Sequence, residues 1–264
     1  MPLVTLEVPD EGIALVTLNR PERLNTMTAD MLQEARDVFT TVAADPFIKV
    51  MILTGAGRGF CAGGDLAEGP GGAVTGNLTG EAAADKLREF METSMILHSM
   101  PAVTIAAVNG ACAGAGLSWA CAADLRFASV KARFNTAFLD AGLSGDFGGT
   151  WTLPRIIGAG RAREKYLLSE PFDAAEALRI GLVSEAVSAD ELMPTVMAKA
   201  KRLTQAAPLA LQLIKQNLVD GEYSTFSEAL HVEAKRHSFC AESKDAAEAA
   251  TAFMDKRPAV FSGR

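Results

Sequence analysis

Paired cysteines, clustered histidines and an excess of basic residues are all missing from this sequence. The four cysteines (Cys61, Cys112, Cys121 and Cys240) form no C-x-x-C pair, and the three histidines (His98, His231, His237) lack the spacing of a zinc site. Buried free thiols in a reducing compartment are the reading that remains, with no metal site expected. Acidic side chains outnumber basic ones, 32 against 25, for a formal net charge of −7. That argues against nucleic acid as a main partner, because a phosphate backbone rewards a basic face. The sequence opens directly in strand-like residues, without a basic stretch ahead of an apolar core or an arginine-rich transit segment, and a cytoplasmic location is expected.

Familiar site signatures are also absent. Gly114-Ala115-Gly116 begins like a dinucleotide fingerprint but puts Trp119 where the third glycine belongs, and Gly158-Ala159-Gly160 fails in the same way at Arg163. No G-x-x-x-x-G-K-[ST] loop occurs. Gly116-Leu117-Ser118-Trp119-Ala120 lacks the last glycine of a nucleophile elbow. One stretch, Thr93 to Ala123, has no Asp, Glu, Lys or Arg and is long enough for a bilayer. Pro101, Asn109-Gly110, Gly114 and Gly116 break it into a helix end, a strand, a turn and a new helix, so a buried parallel strand followed by a buried helix accounts for it.

What is present is an apolar chain, 49% hydrophobic, with enough core for an α/β fold. Strand patterns at Val4–Val8 and Ile13–Leu18 flank the turn sequence Pro9-Asp10-Glu11-Gly12. Thr28 reads as the N-cap of an amphipathic helix over 29–44. Apolar strands are expected at Val50–Leu53 and Val103–Val108, with further strands near 125–128 and 133–134 and a helix over 81–98. Residues 67–80, with several glycines and Pro70, read as a mobile surface loop. From Ala174 onward the pattern is mostly helical. The expected division is an α/β core over 1–199 and a helical region over 200–264 that packs on the core or on a neighbouring subunit.

Two glycine-rich loops follow the buried strands. One is Gly59-Phe60-Cys61-Ala62-Gly63-Gly64-Asp65-Leu66; the other is Asn109-Gly110-Ala111-Cys112-Ala113-Gly114-Ala115-Gly116, at a helix start. Small residues admit a ligand to the backbone, and free amides favour developing negative charge, so the pair is a candidate oxyanion hole. Packing of small residues at strand–helix corners accounts for the same composition.

The chain resembles the crotonase, or enoyl-CoA hydratase/isomerase, superfamily over nearly its whole length. The stretches that carry the resemblance are Asn19-Arg20-Pro21-Glu22-Arg23-Leu24-Asn25, Leu53–Leu66, Pro101–Asp124, Gly148-Gly149-Thr150 with Leu153-Pro154-Arg155, Pro171–Ala174 with Gly181-Leu182-Val183, and Phe253–Pro258 with Phe261. The resemblance implies a β-β-α spiral fold, a homotrimer or dimer of trimers built through the helical C-terminal region, and acyl-CoA thioester substrates, with coenzyme A entering as part of the substrate and no separate cofactor. It implies that the amides of Gly64 and Ala115 hold the thioester oxygen, and that Arg23, Ala62, Asp65 and Leu66 bind coenzyme A, with Lys256 reaching a neighbouring subunit's ligand. The alternative for Arg23 and for Lys256, the less favoured one, is a solvated surface charge.

The two glutamates that hydratases of this family use fall on Ser118 and Phe138, neither of which transfers a proton as a carboxylate does. Certain isomerases and dehalogenases of the superfamily carry an aspartate at the place of Asp146, which makes Asp146 the candidate acid/base and double-bond isomerisation the expected reaction. Asp146 is also a candidate N-cap for a helix starting near Phe147. Hydration through Asp146, and a catalytically silent coenzyme A- or RNA-binding protein, are the alternatives. Trp119, Phe138 and Phe147 are candidates for the acyl pocket or, equally, for the core; Ser118 is a candidate for orienting water or substrate in the pocket, although a helix serine bonded to backbone is the more ordinary role.

Overall fold

In this computed structural model the chain is described at every residue except Glu68, Pro70 and Arg264. Two of these three fall in the loop read from the sequence over 67–80, so that part of the reading lies outside the described residues.

Strands β1 (Val4–Asp10) and β2 (Ile13–Leu18) form the antiparallel hairpin expected of them, turning at Glu11-Gly12 with Gly12 at φ +75°. Helix α1 (Ala29–Ala44) starts where the Thr28 hydroxyl accepts the Met31 amide, as the sequence indicates. The chain then repeats one unit. A strand in a first sheet leads to a short strand in a second sheet, and a helix returns. Strand β3 (Val50–Gly55) leads to β4 (Gly59–Cys61), the short helix α2 (Gly72–Thr75) and the long helix α3 (Gly80–Ser99). Strand β5 (Val103–Val108) leads to β6 (Ala111–Ala113) and α4 (Ala115–Ala122). Strand β7 (Leu125–Ser129) leads to β8 (Arg133–Asn135), α5 (Gly149–Ile157) and α6 (Ala159–Leu168). Strand β9 (Phe172–Asp173), helix α7 (Ala174–Arg179), strand β10 (Glu185–Val187) and helix α8 (Ala189–Thr204) complete the core. The first sheet runs β1-β2-β3-β5-β7-β10, parallel beyond the hairpin, and the second runs β4-β6-β8-β9. This is the expected β-β-α spiral.

Burial of both faces explains why β3 and β5 are apolar apart from Thr54 and Thr104. Val50, Ile52, Ile105 and Ala107 face α8 through Leu192, Val196 and Ala200, whereas Met51, Leu53, Ala106 and Val108 face the larger core with α1 and α4. The division expected at 199/200 therefore falls inside α8, whose buried face belongs to the sheet. The helical tail that follows is α9 (Pro208–Gly221), α10 (Phe226–Ala241) and α11 (Lys244–Asp255). Its link to the core is partly aromatic, with Tyr223 stacked on Trp151, and partly polar. The buried Lys215 ammonium donates to the Ala102 carbonyl and to Asp124 Oδ2, each at 2.7 Å, and the same carboxylate accepts from the Thr104 amide and hydroxyl. Among the described residues no helix is long and apolar enough to cross a membrane, and the charge-free stretch is divided among α3, β5, β6 and α4.

Helix α4 lies directly against β4 at Gly116. A β-carbon there would collide with the carbonyl oxygen of Cys61, a backbone atom that cannot rotate away. Gly116→Ala is therefore expected to destabilise the protein by about 1–3 kcal/mol or more through overpacking. A chemical denaturation midpoint compared with wild type measures this, and an unchanged midpoint would show that the two elements separate freely.

Candidate active site

The first glycine loop is held from outside. Asn25, fully buried and at φ +56°, donates its amide to the carbonyls of Ala56, Gly59 and Phe60. Asn109 does the same from the other side, to Gly55, Gly57 and Gly59. Beyond β4, Met27 grips the chain twice, its amide donating to the Gly63 carbonyl at 2.8 Å and its carbonyl accepting from the Asp65 amide at 3.0 Å. Gly64 lies between these two bonds. In the second loop Gly114 donates to the Asn135 carbonyl and adopts φ +52°, ψ −125°, a conformation open to glycine. Ala115 then opens α4. Among the described residues, neither the Gly64 nor the Ala115 N–H has a hydrogen-bond acceptor.

The loops touch. A β-carbon on Gly63 would lie 3.0 Å from the Ala113 carbonyl oxygen and 3.6 Å from the Ala115 nitrogen. Two free amides thus border one opening, and that opening is a cavity of about 230 Å³ lined by Gly64, Ala115, Val74, Leu87, Phe138 and Asp146 among others. Val74 of α2 and Leu87 of α3 come from the stretch read from the sequence as a surface loop and from the helix expected after it. Ala141 and Leu143, also in the wall, were not singled out, because small and aliphatic residues in a loop carry no distinguishing signal.

Asp146 is the chemically distinctive group in this wall. Helix α5 begins at Gly149 with Gly148 in the cap position, so the capping role considered for Asp146 is not the one seen. A left-handed Phe147 (φ +47°) turns the chain before the helix can start, and only the Asp146 backbone carbonyl meets the helix, accepting from the Gly149 amide. Its carboxyl oxygen Oδ1 is buried without a partner. Burial alone pushes the carboxyl up to about 7, with no cation to oppose it. Its titratable neighbours, Cys61 and Tyr166, are themselves shifted upward by burial and are neutral at that pH, the Cys61 thiol reaching about 12.

The other residues singled out from the sequence separate into groups. Ala62, Asp65, Leu66 and Phe138 line the cavity with Gly64 and Ala115. The Asp65 carboxylate is already engaged, accepting from the Ala67 amide and from Arg20 Nη1 at 2.5 Å, and these bonds hold it below the usual carboxylate range. Arg20, paired across 45 positions of sequence, is the partner that sequence reading passed over. Arg23 is exposed on the single 3-10 turn Pro21–Arg23, and Lys256 is exposed at the left-handed end of α11. Ser118, Trp119 and Phe147 lie behind the wall, not in it. Trp119 is fully buried, donates its indole N–H to the Thr93 hydroxyl at 3.0 Å, and meets Phe39 and Phe147 edge-on. Ser118 donates to the Asp146 carbonyl at 3.0 Å.

The chain matches the family described as enoyl-CoA hydratase/isomerase over residues 9–264. It is 34% identical to a crotonyl-CoA hydratase of Syntrophomonas wolfei over 257 residues, 96% of this chain and 95% of that protein. It is 35% identical to the 1,2-epoxyphenylacetyl-CoA isomerase of Escherichia coli over 260 residues, 97% of each. A crystal structure of an enoyl-CoA hydratase from Bacillus anthracis superposes with a TM-score of 0.92 at 27% identity, covering 99% of this chain and all of that one.

The raised Asp146 carboxyl has a consequence for stability. The unfolded chain gives up this proton near 3.8, the folded chain only near 7. Between those values the folded state binds the extra proton, so this group's contribution to stability falls as pH rises and levels off above about 7. Asp146→Asn removes that loss. The variant is expected to gain stability over wild type progressively from pH 4 to 7, reaching on the order of 3 kcal/mol, in denaturation curves measured across that range. A gap that does not change with pH would mean that the carboxyl titrates normally.

Proposed function

The chain belongs to the enoyl-CoA hydratase/isomerase family, and on that premise we propose that it moves a double bond within an enoyl-CoA thioester, with Asp146 as the proton-transferring group. The observation that carries the reading is the uncompensated Asp146 carboxyl in a wall shared with two unoccupied amides. A carboxyl that titrates near 7 is present in both forms at neutral pH, as a group that first takes and then returns a proton needs to be.

In this mechanism the thioester carbonyl oxygen lies against the Gly64 and Ala115 amides. The Asp146 carboxylate removes a proton from carbon 2 of a 3-enoyl chain. The electron pair moves into the carbonyl, whose oxygen gains negative charge that the amides and the α4 N-terminus stabilise. Asp146, now protonated, returns the proton to carbon 4 as the carbonyl re-forms. The double bond ends between carbons 2 and 3, and the enzyme recovers its starting state. The wall supplies one free carboxyl for this, since Asp65 is held by Arg20. Arg23 and Lys256 are exposed cations suited to the phosphates of coenzyme A, and the backbone of Ala62, Asp65 and Leu66 borders the entrance. Exposed apolar side chains on the tail, among them Ile214, Leu218, Phe226, Phe239 and Phe253, support a homotrimer or a dimer of trimers.

Water addition through Asp146 is the second reading, favoured by the hydratase names among the relatives. Crotonyl-CoA and a 3-enoyl-CoA, assayed separately, divide the two. Isomerisation of the 3-enoyl substrate is expected to exceed hydration, to rise with pH through about 7, and to fall by roughly 10²–10⁴-fold in Asp146→Asn. Rapid hydration of crotonyl-CoA that survives this substitution would sink the mechanism. Failure of every acyl-CoA tested to exchange carbon-bound hydrogen with D₂O would favour a silent coenzyme A-binding protein.

A further inference from the structure

The segment that presents Asp146 is bent against its own backbone preferences. Ala137 (φ +59°) and Phe147 (φ +47°) are non-glycine residues in the left-handed region, and Gly145 and Gly148 share positive φ on either side of Asp146. Such residues cost about 1 kcal/mol or more each and persist where their surroundings impose them. Part of the constraint is apolar, the Phe147 ring being buried edge-on against Trp119. The rest comes from α4 and α6. Thr136 donates to the Lys165 carbonyl at 2.9 Å, Ser169 donates to Asp140 at 2.9 Å, and Phe138 stacks on Tyr166 with ring planes 10° apart. Ser118 donates to the Asp146 carbonyl at 3.0 Å, and the Tyr166 hydroxyl stands beside Ser118 at Gly149. Both hydroxyls converge on Gly149, where any β-carbon would collide with the two of them.

We propose that Ser118 and Tyr166 form a hydroxyl relay that positions Asp146, with Gly149 kept side-chain-free to admit it. A hydroxyl gives one hydrogen and accepts at its lone pairs, so Ser118 can direct its hydrogen to the Asp146 carbonyl at 3.0 Å, nearer than the Gly114 carbonyl at 3.3 Å, while accepting from the Tyr166 hydroxyl. The relay fixes the Asp146 backbone and leaves its carboxyl unbonded inside the cavity. Ser118 thus serves the reaction without touching substrate, at one of the two places where the family's hydratases carry a glutamate. The groups facing Asp146 are Cys61 from β4, Tyr166 from α6 and, within the same cavity, the paired Asp65, with no cation among the described residues. Loosening the relay lets water reach the carboxyl, which lowers its titration midpoint.

The inference rests on the acid/base reading of Asp146, so its test includes a readout independent of turnover. Ser118→Ala, Tyr166→Phe and the double variant are compared with wild type in protein carrying ¹³C-carboxyl aspartate, the Asp146 signal being identified by its loss in Asp146→Asn. Each single variant is expected to lower the Asp146 midpoint from near 7 by about one unit. Each is also expected to reduce kcat for the 3-enoyl-CoA roughly ten- to a hundred-fold with little change in KM. The double variant should lose little more than either single one, because both act through one chain. Tyr166→Phe keeps the ring stack, and its melting temperature identifies any general unfolding. An unchanged midpoint with unchanged kcat in well-folded variants overturns the relay. An active Asp146→Asn overturns the functional reading instead and leaves the relay to be judged on the titration.

Discussion

The contact between α4 and the end of β4 sets the geometry on which the remaining site depends. Gly116 lets the helix axis come close enough for the Cys61 carbonyl to occupy the space of a side chain, and this brings the Ala115 amide beside the Gly63-Gly64 loop. Each loop is then fixed by bonds that use its other backbone groups, Met27 on one side and Asn135 on the other. Among the groups that these bonds leave over are the Gly64 and Ala115 N–H. The free donors are thus flanked by groups already bonded, the Gly63 carbonyl and Asp65 amide in one loop and the Gly114 amide in the other, which keeps them aligned without a ligand.

The same economy governs charge. The cavity wall contains two carboxylates, but Arg20 and the Ala67 amide take up Asp65, and its acidity falls accordingly. Asp146 receives no such partner, and burial moves it the opposite way. Two aspartates a short distance apart in one cavity are therefore driven to different protonation states by their surroundings, one fixed as an anion and one balanced near neutrality.

Elements with a strong period or a side-chain signal were legible in the sequence. Thr28 and the helix after it, the hairpin, and the strands at 50–53 and 103–108 are where the pattern puts them, because apolar alternation and capping are local physics. Strand β6 was not, since Ala111-Cys112-Ala113 has no β-branched residue and runs straight into the glycine corner; its pairing with β4 and β8 is what makes it a strand. Strand β9, two residues long, escapes for the same reason. For the site, the glycine loops were visible as an even choice between cradle and packing, and the resemblance tipped it. The positions of Trp119 and Phe147 were not legible, as an aromatic at a given spacing suits a core or a pocket equally. The Arg20–Asp65 pair and the convergence of Ser118, Tyr166 and Gly149 depend on approaches between distant segments that no local pattern encodes.

The two kinds of group at this site differ in how they can be inherited. The two free amides are peptide N–H groups, which any residue other than proline supplies, so substitution threatens them through added bulk or, at Gly63 and Gly114, through backbone strain. The proposed proton-transferring group, Asp146, is a single side chain on a bent loop, and one codon change can remove it or replace its support. With the roles proposed, a lineage built on this plan can retain its hold on the thioester carbonyl while exchanging one reaction for another, and Ser118, beside the two amides on α4, occupies a position at which such an exchange would be recorded.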